Sequence, residues 1–337
     1  MTEAVNTTES MRAVPTVGDL GEAELLARIF PRLPRAAGEL LGPGDDAAVV
    51  SVPDGRLVVT TDTMIHGPDF RLAWSSAHDL GWKAAATNLA DIAAMGASPT
   101  ALVVALAMPK WLPVAVLDGF SDGLRDACEA LTDGCGVVGG DLAVSETFTI
   151  AITAFGDLGG RAPVLRSGAH VGDVVAVAGP LGAAAAGLRL LFTLGVDEDG
   201  TPSAERAEEL RSTRESDVLP QLKPSPPIRA GVIAADAGAT AMLDLSDGLA
   251  LDARRLANAS GVAIRFDSSL LGDDVQTALA GGEDHSLLAM FPAGTELPEP
   301  FRRIGIVEAG AGVHVDDAPY LGAGGWDPYR DWNDQAG

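Results

Sequence analysis

A helix that is apolar almost all the way round cannot lie on a protein surface. Residues 78–95 read as such a helix. Trp82, Ala85, Ala86, Leu89, Ile92 and Ala93 cover most of its circumference, and Gly96 follows at a natural C′ stop. The helix is therefore expected to be buried on nearly every side. One narrow polar stripe remains, formed by Thr87, Asn88 and Asp91 at i, i+1 and i+4. A carboxylate on so enclosed a helix is either ion-paired or metal-bound. Lys83 lies about two turns from Asp91, too far along the axis to touch it. The pattern favours a metal over a pair with some more distant cation.

Other acids point the same way. The segment LGPGDDAAVV (41–50) sets Asp45 beside Asp46 in a Gly/Pro loop. At ~4 Å two carboxylates repel by roughly 1 kcal/mol in water and ~4 kcal/mol at an effective dielectric of 20. Either the pair sits in a solvated turn or a cation lies between it and other acids. Asp62 follows the β-branched run Val58 to Thr61, Asp141 follows Val137 to Gly140, and Asp244 and Asp247 bracket Leu245-Ser246 after an apolar strand. Ligand sites of α/β folds gather at strand C-terminal ends. One such aspartate is an ordinary cap or turn; three, added to Asp45-Asp46, make a shared site the better reading. A donor set of oxygens alone suits Mg²⁺ or Ca²⁺. Mg²⁺ takes one or two carboxylates plus substrate phosphates, which fits a nucleotide enzyme. There is no EF-hand spacing, no GxxxxGK[ST] and no kinase-type glycine loop with its partner motifs.

The formal charge of −24 excludes a basic footprint for nucleic acid or an anionic membrane. Cys128 and Cys135 have neither CxxC nor zinc spacing, and the five histidines are scattered. Both cysteines are expected as reduced thiols in a cytoplasmic protein. Residues 1–17 are expected to form a disordered leader that is not a signal peptide. The most apolar long stretch, 174–196, is broken by Gly179-Pro180 and reads as strand, turn and helix, not as a membrane span. Strands and helices mix in both halves, around a Gly/Pro-rich joint at 157–166. The class is α/β (α+β), in two domains of residues 18–158 and 159–337. SDGL occurs at 121–124 within an amphipathic helix, where it is expected on the surface. It recurs at 246–249, where it follows a strand and opens a helix.

In order along the chain, GPGDDAAVV, TTDTMIHG, DLGWKAAATNLADIAAMGA, GGDL, LRSGAHVGD, LDLSDGL and GGEDHSLL resemble thiamine-monophosphate kinases, across residues 41 to about 290. That family belongs to the superfamily of aminoimidazole-ribotide synthetase, selenophosphate synthetase and hydrogenase-maturation proteins. The resemblance implies a two-domain PurM-like fold whose N-terminal domain dimerises through its strands. The implied reaction is transfer of a phosphoryl group from ATP to thiamine monophosphate, with several Mg²⁺ ions. It implies magnesium ligation by Asp46, Thr60, Thr61, Asp62, Asp91, Asp141, Asp244 and Asp247. Gly140, Asp141, Arg166 and Ser246 would contact ATP. Glu283 and Trp326 would contact the thiamine moiety, as would Asp69, which stands where many members carry histidine. The Ser246–Gly248 turn, at a helix N-terminus, is expected to offer N–H groups to phosphate. Selenophosphate synthesis is disfavoured, because no cysteine precedes position 128. A ribotide synthetase or a non-catalytic Mg-nucleotide-binding protein are the alternative readings.

Overall fold

The computed structural model describes residues 14–43, 47–322 and 325. Asp45, Asp46 and Trp326, named above, lie outside the described residues. The first part of the chain contains α1 (Glu22–Ile29), β1 (Glu39–Leu41), β2 (Val49–Val50), β3 (Val58–Ile65), α2 (Ala77–Ala94), β4 (Ser98–Met108), α3 (Val114–Leu131), β5 (Gly136–Val144) and β6 (Thr149–Asp157). There follow β7 (Val174–Ala178), α4 (Ala183–Leu194), α5 (Ala204–Leu222), α6 (Ile228–Asp236), β8 (Ala241–Leu245) and α7 (Leu249–Ser260). The last elements are β9 (Ala263–Phe266), α8 (Val275–Ala280), β10 (Ser286–Phe291), β11 (Arg302–Glu308), β12 (Gly312–Val315) and β13 (Ala318–Pro319). Strands β3-β6-β4-β5 form one sheet, and β13-β12-β9-β11-β7-β10-β8 form a second. Each sheet is antiparallel except for one parallel pair, β4–β5 in the first and β9–β12 in the second. The mixed α/β class is met.

Helix α2 starts on a capping box: Ser76 Oγ accepts from Asp79 N, and the Asp79 carboxylate accepts from Ser76 N. Its position explains its composition. It packs on α3 and on β3, β4 and β6 of one sheet, and also on α6 and on β8 and β10 of the other. One core joins Leu89 and Ile92 of α2, Ile150 and Ile152 of β6, and Met242, Leu287 and Phe291 of the larger sheet. The other face of that sheet carries a second core under α7, with Leu249, Leu256 and Ile264. Small residues let α2 approach its neighbours closely. A Cβ on Gly81 would stand 2.0 Å from the carbonyl oxygen of Phe120, and one on Gly123 would stand 2.0 Å from that of His78. The SDGL at 121–124 thus lies inside the α2–α3 contact, with Ser121 and Leu124 buried, and not on the surface.

Further differences have local causes. Residues 14–17, expected in the leader, dock on the body: Val17 is buried and its N–H donates to Leu112 O. Strand β4, expected to be buried on both faces, alternates, with Ala105 exposed and Val103 and Ala107 half-buried. Its outer row is partly covered, with Ala101 and Val103 packed against Ala36, Ala48 and Val50, and Ala105 left exposed. Asp62 and Asp141 lie within β3 and β5, not at their ends. Both strands pair beyond the aspartate, so polarity did not mark where they stop. Helix α5 runs to Leu222 and is bent at Arg214, where the backbone leaves helical geometry.

Candidate active site

Strand alternation on β3 sends Thr60 and Asp62 toward α2 and Thr61 toward the opposite face. Thr60 Oγ1 donates to Asp91 Oδ2 at 2.8 Å. Asp62 N donates to Asn88 Oδ1 at 3.1 Å, so the polar stripe of α2 grips the strand. Asp244, within β8 and not after it, and Asp247, in the turn that follows, come to the same place. Burial, then Asp244, then Asp62 push the Asp91 carboxyl up to about 7. Asp62 is raised as well, by burial and, next among the raising influences, by Asp244 and Asp247. Asp91 therefore lies within electrostatic reach of Asp62 and Asp244, and Asp62 within reach of Asp244 and Asp247. Among the described residues no lysine or arginine pairs with Asp91; Lys83 turns to Glu283 instead, at 2.7 Å.

The chain closes the site with the loop 281–285. Glu283 and His285 both adopt positive φ, 67° and 51°, an uncommon state for residues with side chains. The loop is pinned by Glu283 N and His285 N, which donate to Ser246 O and Leu245 O. The buried Asp284 carboxylate fastens it to the start of α4 by accepting from Gly182 N at 2.5 Å and Ala184 N at 2.8 Å. Asp284→Ala is expected to cost about 1–3 kcal/mol, because it leaves those two N–H groups without their acceptor. Urea unfolding of the variant beside the wild type measures this; an unchanged midpoint contradicts it. His285 Nδ1 stands 3.3 Å from Asp244 Oδ2. Although burial opposes it, the Asp244 carboxylate raises the His285 pKa.

Not every expected ligand converges. Thr61 Oγ1 donates to Ile152 O on the far face of the sheet, so its hydroxyl is turned away from the acids. Asp141 is exposed on the edge strand β5, three strands from β3, which is about 14 Å at sheet spacing. With Gly140 it lines a mostly apolar cavity of about 860 Å³ beside Phe120, Leu124, Val104 and Leu106. Arg166 is exposed, with no side-chain partner among the described residues. Ser246 is half-buried in the turn before α7. The N–H groups of Asp247 and Gly248, expected to face phosphate, are taken by Asp252 Oδ2 at 3.0 and 3.1 Å. Burial and then Asp247 push Asp252 up to about 6. Asp69 accepts from Ile65 N at 2.7 Å and faces Glu283 and Lys83.

Residues missed from the sequence include Asn88 as a strand clamp, Asp252, Asp284 and Gln221. Lys83 carried a usable signal: a lysine on a helix buried all round needs an acid, and Asp79, one turn before it, is taken up by the Ser76 cap and by Arg211.

A family model for the N-terminal domain of AIR synthase related proteins matches residues 44–158. The thiamine-monophosphate kinase of Mycobacterium tuberculosis (strain CDC 1551 / Oshkosh) is 42% identical, over 95% of each chain. The chain belongs to the thiamine-monophosphate kinase family. Among solved structures, the family member from Stenotrophomonas maltophilia K279a aligns with a TM-score of 0.73 and 33% identity, over 88% of this chain and 96% of that one. A structure described as AaThiL complexed with AMPPCP and TMP aligns with a TM-score of 0.69 and 32% identity, over 84% of this chain and 90% of that one. Among the described residues no helix is long and apolar enough to cross a membrane.

Proposed function

We propose that this kinase transfers the γ-phosphoryl group of ATP to the phosphate of thiamine monophosphate, giving thiamine diphosphate and ADP by direct in-line attack. The observation that carries the site is the gathering of Asp91 with Asp62 and Asp244, and of Asp62 with Asp247, with no lysine or arginine on Asp91 among the described residues. Among the described residues no three acidic, histidine or cysteine side chains form a ready-made metal cage. The donor chemistry nevertheless fits Mg²⁺, which keeps several waters and is completed by substrate phosphates. Asp46, Thr60, Asp62, Asp91, Asp244 and Asp247 would hold it, with Asp141 and the backbone of Thr61 as further candidates. Bound Mg²⁺ supplies charge neutralisation between two anionic phosphates.

The acceptor is a phosphate monoester, already largely ionised near neutral pH, so no general base is required. The chain's work is positioning. Gly140 and Asp141 border a cavity large enough for a purine, with Phe120 and Leu124 as its apolar wall. Arg166, at the edge of the larger sheet, adds a movable cation for the nucleotide phosphates, and Ser246 stands in the turn among the acids. Asp69 and Glu283 place negative charge where a cationic thiazolium or an amino group would lie, with Trp326 as a third contact.

We further propose a cytoplasmic homodimer through the outer face of the four-stranded sheet. Val59, Thr61, Ile65 and Ala105 leave that face exposed, and it is apolar or small enough to pack on a copy of itself. We also propose two domains, 18–158 and 159–337; that the four-stranded sheet is built from strands before residue 158 and the seven-stranded sheet from strands after it supports this reading. A coupled ADP-release assay tests the function. ADP is expected with ATP, Mg²⁺ and thiamine monophosphate together, and none above background with unphosphorylated thiamine. Binding of Mg·ATP without ADP release would favour the non-catalytic alternative.

A further inference from the structure

Glu283 is gripped from one side only. Lys83 Nζ donates to its Oε2 at 2.7 Å, and Gln221 Nε2 donates to the same oxygen at 2.5 Å. The two donors come from α2 and α5, and Lys83 stands 200 residues from Glu283 in the chain. Lys83 is 4% exposed and Gln221 is 6% exposed, whereas the Glu283 side chain is 37% exposed. Both clamps are thus buried behind a carboxylate that opens outward. Oε1 of Glu283 has no partner among the described residues. The amide of Gln221 is itself half satisfied: its Oε1 is buried and has no hydrogen-bond partner among the described residues. Exchanging its oxygen and nitrogen would not help, because the amide oxygen would then face the carboxylate. An interior acceptor left without a donor is costly and calls for an explanation. A purely structural clamp would be complete without the ligand; this one has an acceptor to spare.

We propose that Gln221 is a specificity-determining residue that, with Glu283, presents a pair of acceptors to an N–H₂ group on the substrate's heterocycle. The inference rests on the thiamine monophosphate reading and names the part of that molecule that is read: the amino group of its pyrimidine. Lys83 and Gln221 pin Oε2, which leaves Oε1 of Glu283 for one N–H, and the unpaired Gln221 Oε1 takes the second. An analogue carrying an oxygen in place of the amino group brings lone pairs toward both acceptors and is rejected. Asp69, within electrostatic reach of both Glu283 and Lys83, borders the same space.

The test compares thiamine monophosphate with oxythiamine monophosphate, whose pyrimidine bears oxygen at that position, for wild type and Gln221→Met. The wild type is expected to prefer the amino substrate by at least about 100-fold in kcat/KM. Gln221→Met is expected to raise KM for thiamine monophosphate about tenfold and to reduce the preference to about tenfold or less. KM for Mg·ATP should stay within about twofold, which a disturbed fold would not allow. A variant that keeps the wild-type preference overturns the inference while leaving the kinase reading intact. Should Gln221→Met fail to fold, calorimetric titration of the wild type with the two monophosphates decides instead, and equal affinities overturn the inference. A wild type that releases ADP with neither compound overturns the kinase reading, and this inference with it.

Discussion

Asp91→Asn is expected to lower turnover by roughly 10²–10³-fold, the scale seen when one electrostatic contact to a reacting group is removed. The same variant should leave the metal-free protein at least as stable as the wild type. The carboxyl sits in a buried site facing Asp244 and Asp62, and it titrates at about 7 in place of 3.8. Between those values the folded chain holds a proton that the unfolded chain has already released. Stability from this group therefore falls as pH rises through that window and is lost above about 7. Asparagine keeps the shape and the acceptor for Thr60 but carries no charge. Its thermal midpoint, measured without divalent ions, should overtake that of the wild type at pH 8 and not at pH 4. An Asp91→Asn enzyme that turns over normally at limiting Mg²⁺ removes this side chain from catalysis.

Gly123→Ala is the second large effect, on folding. Its new methyl group would sit 2.0 Å from the His78 carbonyl oxygen, which is main chain and cannot swing aside. Helices α2 and α3 must separate, at a cost of about 3 kcal/mol or more, the upper end for overpacked cores. Because α2 carries Asn88 and Asp91, the displacement also reaches the acids. Urea denaturation should show the lower midpoint, and turnover of the folded fraction should fall with it. A variant of wild-type stability would mean that the close crossing does not exist in solution.

Helix α2 could be read from the sequence because its pattern and its enclosure are the same fact: residues without polar atoms go where water is absent. The polar stripe at Thr87, Asn88 and Asp91 was likewise readable, and it leads straight to Thr60 and Asp62. What one strand's pattern cannot carry is where a strand ends when its own residues are polar, which is why Asp62 and Asp141 sit mid-strand. Nor does the family resemblance, which names Thr60 and Thr61 together, say that the pleat turns their side chains to opposite faces. The Lys83–Glu283–Gln221 contact joins three remote segments, and its one local trace, a lysine on an enclosed helix, does not name the partner. Gln221 was further obscured because the helix holding it bends at Arg214 and carries Pro220, both of which suggest an earlier stop. Asp284 looked like one more acid in a glycine loop; only tertiary structure shows it bolting that loop to α4.

One helix serves as the inner wall for both sheets. Severing the chain near residue 158 would hand one fragment a bare apolar flank and leave the other roofless, so neither half is self-sufficient. The seven-stranded sheet and the four-stranded sheet must gain or lose their native state together. The acids housed along that shared wall inherit its rigidity, and their spacing is fixed by the cohesion of the whole molecule.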